Sequence, residues 1–164
     1  MVSDDDTRVM VLGSLEEFAD GAAGRDAPCA FDAADATVFA EWIGHARGSS
    51  EAERRAQAER IGRPAVPHHG VLARDTRGEI VAAGQVVMES GTAGLYDVMT
   101  AEAARCRGHG ERLCRHLLAW AARRGAGIGY LQVDAANKAA RRIYRRLGFV
   151  DAYPYYRTPT ASGG

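Results

Sequence analysis

Leu95-Tyr-Asp-Val-Met-Thr-Ala-Glu-Ala-Ala-Arg-Cys-Arg-Gly-His-Gly110 is the stretch on which the reading of this chain turns. It begins as a strand, Leu95 to Thr100. It then turns and runs through a glycine-containing loop that opens a helix near Glu111. Gly108 and Gly110 have no Cβ, so the backbone there turns sharply and can lie close to a ligand. The amides from Cys106 to Glu111 are then the unpaired donors of a helix start. Partial positive charge at such a start favours a phosphate or pyrophosphate. On two glycines alone, an ordinary strand–turn–helix corner is the simpler reading.

The wider pattern narrows the choice. A dinucleotide fingerprint needs a third glycine where Leu113 stands, and a nucleotide-triphosphatase loop needs Gly-Lys-Ser/Thr, which is absent. The pattern present is Arg105-x-x-Gly108-x-Gly110. A second block follows it: Tyr130-Leu-Gln-Val133, Asn137, Ala140, Tyr144, then Leu147-Gly148-Phe149. Together, in this order and spacing, they resemble the (Gln/Arg)-x-x-Gly-x-(Gly/Ala) loop and the strand, Asn-x-x-Ala-x-x-x-Tyr and Leu-Gly-Phe run of the GCN5-related N-acetyltransferases, the GNAT superfamily. The resemblance is clear over residues 69 to 157 and weak before them. It implies a mixed α/β acyl-CoA N-acyltransferase fold, with a mostly antiparallel central sheet, splayed strands and helices on both faces.

Composition is compatible with this. The 164 residues are the size of one domain, with 46% hydrophobic and 26% charged residues and zero formal net charge. Bulk attraction to nucleic acid or an anionic membrane is not expected. Cys29, Cys106 and Cys114 are odd in number and form no Cys-x-x-Cys pair, so a reduced, cytoplasmic setting is expected rather than a disulfide framework. No apolar run approaches ~18 residues, so no membrane span is expected. Residues 1–7 read as disordered, 8–158 as a single domain and 159–164 as a flexible tail.

Before the organising stretch, Arg8 to Leu12 reads as a strand. Ser14 caps a short helix with Glu16 and Glu17 in its first turn. Gly21 to Asp32 reads as a loop. Asp35 to Arg47 is a helix with Val38, Phe39, Trp42 and Ile43 at helical spacing, and Ser50 to Ile61 is a third, charged helix. His69 to Arg74 and Glu79 to Met88 flank a hairpin turn, and Gly91 and Gly94 mark the next one. After the loop come a helix from Glu111 to Arg124, a strand from Gly129 to Val133, a helix capped by Asn137, and then Phe149 to Val150 and Tyr153 to Thr158 as two closing strands or one bent strand. Pro154 marks an edge or a bulge in the last segment.

Acyl transfer to an amine needs a neutral amine, a donor for the developing oxyanion and an acid for the leaving thiolate. The resemblance places Tyr144 beside the thioester sulfur as general acid. A phenol with pKa about 10 is protonated at neutral pH. Without the motif, a core tyrosine on an amphipathic helix is the better reading. The resemblance further implies acetyl-CoA as co-substrate. The backbones of Val98, Met99 and Thr100 would hold its pantetheine arm. Arg105, Cys106, Arg107, Gly108, His109, Gly110 and Glu111 would hold its pyrophosphate. Asn137 is a helix cap, a cofactor contact, or both. Where some relatives carry a basic Glu this chain has Gln132, so Asp97 is the candidate base, with Asp134 and a water relay as alternatives. No metal is implied: His68 and His69 are adjacent on a strand and point to opposite sides.

The expected reaction is acetylation of a small-molecule or amino-acid-like amine by direct attack in a ternary complex. Early helices and Tyr153, Tyr155, Tyr156 and Arg157 are candidate acceptor walls, and a homodimer is one way to supply missing surface. Two other readings stand beside it: a non-catalytic acyl-CoA sensor, and an acetyltransferase for protein N-termini or lysines. Arg141, Arg142, Arg145 and Arg146 prompt a nucleic-acid reading, which zero net charge makes the poorer one.

Overall fold

The computed structural model describes residues 7–19, 30–34, 36–47, 68–105 and 107–155. The expected helix from Ser50 to Ile61, together with Cys29, Cys106, Tyr156 and Arg157, lies outside the described residues.

Seven strands form one sheet: β1 (Thr7–Leu12), β2 (Ala30–Ala33), β3 (His68–Arg74), β4 (Ile80–Glu89), β5 (Thr92–Thr100), β6 (Ile128–Asp134) and β7 (Val150–Tyr155). Their order is β2-β3-β4-β5-β6-β1-β7. Every neighbouring pair is antiparallel except β5–β6. Four α-helices accompany them among the described residues: α1 (Glu16–Ala19), α2 (Ala36–Arg47), α3 (His109–Arg123) and α4 (Lys138–Arg146). The fold is the mixed α/β sheet that the sequence implied.

The helices divide between the faces. On one side, Phe39 and Ile43 of α2 are buried against Leu72 and Ala83. On the other, Leu113, Cys114, Leu117 and Leu118 of α3 join Phe18 of α1 and strand residues such as Met10, Val71, Val86 and Leu95 in the main core. Burying a Leu or Phe contributes about 1.5–3 kcal/mol each, so α3 is the main fastener of the sheet.

Local signals explain most boundaries. The Asp75 carboxylate accepts from the amides of Arg77 (2.8 Å) and Glu79 (3.0 Å), which closes the β3–β4 turn. Ser14 Oγ accepts from the Glu16 amide at 3.3 Å and starts α1. Gly148, at φ 104, stands just past α4, a conformation that favours glycine. Two placements differ from expectation. Ala30–Ala33, read mostly as loop, is an edge strand held by its ladder to β3, by the Asp32–Arg74 ion pair and by Phe31 stacked on His116, none of which a local pattern reveals. Gly94 is not a turn residue but lies inside β5, beneath two tyrosine rings. The N-terminal strand β1 is inserted between β6 and β7 and is paired on both sides.

Candidate active site

The parallel pair β5–β6 is joined for only four positions, from Thr92–Ile128 to Leu95–Leu131. Beyond them β5 follows β4, β6 follows β1, and the two strands fork. A bulge turns β5 at this point. Gln85 faces Tyr96 and Ala83 faces Met99, so β5 carries one residue more than β4 here. The strain falls on Asp97, whose φ is 54. Its carboxylate accepts from Gln85 Nε2 at 2.7 Å, and Gln85 is buried. The candidate base is therefore also a brace of the bulge.

Past the bulge, Val98 packs into the α3-side core and Met99 against the α2-side core. Along Tyr96–Thr100 the edge of β5 that faces β6 has no ladder partner among the described residues. Such an edge offers main-chain donors and acceptors to an extended ligand.

The loop after β5 meets the fork. Gly108 caps α3 with φ 78, ψ 7 and no side-chain cap. The first i→i−4 bond of α3 runs from the Arg112 amide to the Gly108 carbonyl, 3.1 Å. The amides of Gly110 and Glu111 therefore precede the helix's own acceptors. A Cβ on Gly110 would stand 3.2 Å from Thr100 Oγ1 and 3.7 Å from Ile143 Cδ1. The glycine is what lets the end of β5, the start of α3 and the flank of α4 converge. Arg105 and Arg107 are exposed beside the loop. His109 is buried, and that burial, then Arg112 and Arg107, holds its imidazole below the ordinary pKa and so neutral at pH 7.

Helix α4 closes the other side. Asn137 Oδ1 accepts from the Ala140 amide at 3.1 Å, so the cap reading holds and its amide group points away from that bond. Tyr144 is buried, edge-to-face with Phe149 (6.0 Å between ring centroids). Burial first, and then Cys114, raises its pKa well above that of an ordinary phenol. Tyr144 is thus a neutral O–H donor across the whole neutral range. Cys114 itself is fully buried, with a thiol pushed up to about 12, which makes it inert packing.

A helix start left without a side-chain cap, a forked sheet and a buried, protonated phenol on α4 are compatible with an acyl thioester that has a pyrophosphate tail. The profile of the acetyltransferase (GNAT) family matches residues 29–149. The chain belongs to that family. It is 32% identical over 114 residues to an aminoglycoside N(6')-acetyltransferase type 1 of Serratia marcescens, covering 63% of this chain and 76% of the relative. It is 36% identical over 95 residues to a ribosomal protein bS18 alanine N-acetyltransferase of Salmonella typhimurium, covering 56% and 62%. Among solved structures, the aminoglycoside acetyltransferase AAC(6')-Iy, in complex with the bisubstrate analog CoA-S-monomethyl-acetylneamine, superposes with a TM-score of 0.64. Its identity is 16%, over 79% of this chain and 97% of that one. The chain spans 28% of the length of one curated relative and 47–60% of three longer solved structures. The two named relatives act on different acceptors, so family membership leaves the acceptor open.

Three features of this GNAT chain escaped sequence reading. Gln85 supports Asp97 from a neighbouring strand. Arg112 folds back over the loop, donating from Nη2 to the Arg107 carbonyl at 2.6 Å, with its guanidinium over Gly108. Tyr96 and Tyr130 pair at the root of the fork, their hydroxyls 2.8 Å apart. The Gly94-x-Tyr96 and Tyr130-x-Gln132 alternations place each set on one strand face, but only the β5–β6 register brings them together. The basic flank of α4 was legible. Lys138, Arg141, Arg142, Arg145 and Arg146 line a cavity of about 510 Å³. Arg141 and Arg145 are paired with Asp151, and Arg146 with Glu111 at 3.1 Å, so much of that charge is already neutralised. Gln132 is exposed on β6. Among the described residues no helix is long and apolar enough to cross a membrane.

Proposed function

We propose that this chain is an acetyl-CoA-dependent N-acetyltransferase acting on an amine of a small molecule or amino-acid-like substrate, by direct attack in a ternary complex. The convergence of β5, α3 and α4 at Gly110 is the observation that carries the reading. The bound co-substrate supplies an activated acetyl thioester. The Val98–Thr100 backbone receives the amide-bearing arm. Amides from His109 to Glu111 receive the pyrophosphate, with Cys106, Arg105 and Arg107 alongside and the Asn137 amide group within reach of the same ligand. Tyr144 donates its hydroxyl proton toward the departing sulfur. Asp97 takes the proton of the attacking amine, directly or through water, and Gln85 holds it in place. Tyr144 belongs to the core on the α3 side of the sheet; the amine adds to a face of the thioester carbonyl, and the thiolate leaves as the tetrahedral adduct collapses. The reaction belongs in the cytoplasm, and a second copy of the chain is the candidate for completing the acceptor wall.

Calorimetric titration with acetyl-CoA, repeated with dephospho-coenzyme A, tests the cofactor site. Affinity on the order of micromolar is expected, weaker for the dephospho form. No binding at millimolar ligand overturns the reading. Gln132, standing where some relatives carry a base, favours one second reading, a non-catalytic acyl-CoA sensor. Acetyl transfer to any amine, abolished by Tyr144→Phe, rules that sensor out.

A further inference from the structure

We propose that the Tyr96–Tyr130 pair is the acceptor subsite and that it takes a cationic amine, held by its ammonium group against the two phenols. The inference rests on acetyl-CoA occupying the fork. Gly94 and Tyr130 are register partners, and Leu95–Leu131 is the last joined position. Tyr96 and Tyr130 therefore stand at the root of the fork. Both rings lie on the α2 face, because Gln85, Tyr96 and Gly70 share a face with Leu72 and Ala83 of the α2-side core. Tyr144 belongs to the opposite core. The tyrosine pair can thus present the amine, once Asp97 has taken its proton, to a face of the thioester carbonyl; the tetrahedral adduct then collapses and its sulfur leaves toward Tyr144.

Burial does not account for the position of Tyr96. Tyr96 is 40% exposed, a large ring on a strand that gains little by being there. The rings meet edge-on, at 88° and 6.2 Å between centroids. Gly94 is their seat. A Cβ there would come within 2.6 Å of Tyr130 Cζ and 2.8 Å of Tyr96 Cε2. One hydroxyl donates to the other, so the pair retains a single O–H but several lone pairs and two ring faces. That inventory suits a group that only donates, and an ammonium over aromatic rings gains a further cation–π attraction. The Glu89 carboxylate, the smallest of the influences on Tyr130, also favours a cation. Burial, with help from Tyr96, pushes the Tyr130 phenol up to about 12, so the pair orients the amine and does not deprotonate it.

The test is calorimetric titration of the protein saturated with coenzyme A, using neamine, spermidine and alaninamide as probes. At least one should bind. Tyr96→Ala should weaken it at least tenfold, and Tyr96→Phe, which keeps the ring, by less. Affinity for coenzyme A should stay within twofold in both variants. Gly94→Ala should weaken the same probe by displacing both rings. Equal probe binding by wild type and Tyr96→Ala overturns the proposal, as does wild-type protein that binds coenzyme A but none of the probes. Wild-type protein that binds no coenzyme A shows instead that the underlying acetyl-CoA reading has failed, and the proposal falls with it.

Discussion

Helices α3 and α4 flank the same fork and begin in opposite ways. Helix α3 starts at a left-handed glycine with no side-chain cap hydrogen bond, whereas α4 starts under Asn137, whose oxygen takes the Ala140 amide. A capped helix start has spent part of its donor set on its own chain, and an uncapped one keeps that set for something else. The difference assigns the two helices different work. In the proposed reaction α3 offers its backbone to the cofactor and α4 offers the Tyr144 side chain.

The division breaks most visibly at Tyr144. Replacing it with Phe removes the proton donor while preserving the edge-to-face contact with Phe149. Turnover should fall about 100-fold, the scale of a lost general acid, with the KM for acetyl-CoA nearly unchanged. Steady-state kinetics would show it, and an equal loss of cofactor affinity would contradict the division. The complementary variant is Gly108→Val. A β-branched residue at φ 78 is strained by about 1–3 kcal/mol, and the strain falls on the loop. Affinity for acetyl-CoA should drop by roughly tenfold, an effect of about 1.4 kcal/mol, while turnover at saturation changes little.

Asn137 sharpens the comparison, since it stands at the boundary between cap and ligand. Asp caps a helix about as well as Asn. Asn137→Asp should therefore melt within a degree or so of wild type yet bind acetyl-CoA a few-fold more weakly, because a carboxylate replaces an amide donor. Asn137→Ala should instead cost about 1 kcal/mol of stability. Differential scanning calorimetry separates the two.

The smallest effect concerns the far end of α3. His116 stacks on Phe31 at 4.5 Å, and His69 on Trp120 at 4.9 Å, with Arg124 over the same Trp120 ring. Burial is the leading cause that lowers both imidazole pKa values, followed by each site's cationic neighbours. The unfolded chain then takes up protons first as pH falls below about 6.5. Stability is full above that value and declines below it, toward the lowered folded pKa. Urea midpoints measured from pH 7.5 to 5.5 should fall, and His116→Gln should flatten the slope.

The local geometry of the proposed cofactor side was the legible part. Arg105, Gly108 and Gly110 are close in sequence, and a positive φ or a close approach leaves its mark as a glycine. Asn137 and Tyr144 are seven residues apart on one helix and read in the same way. Asp97 was visible as a carboxylate near the fork, but not its bulge or its bond to Gln85, twelve residues away on another strand. The edge strand Ala30–Ala33 was hidden because its side chains are largely exposed and carry no alternating pattern.

Sequence alone determined the family and the strand–loop–helix with its uncapped glycine start, because each depends on residues close to one another in the chain. Tertiary structure decided the rest: β1 between two late strands, the one-residue bulge at Asp97, and Tyr96 over Gly94 against Tyr130. The physical reason is register. Side chains on a strand alternate with period two, so which residues meet across a sheet depends on how distant strands align, and only the assembled sheet sets that alignment.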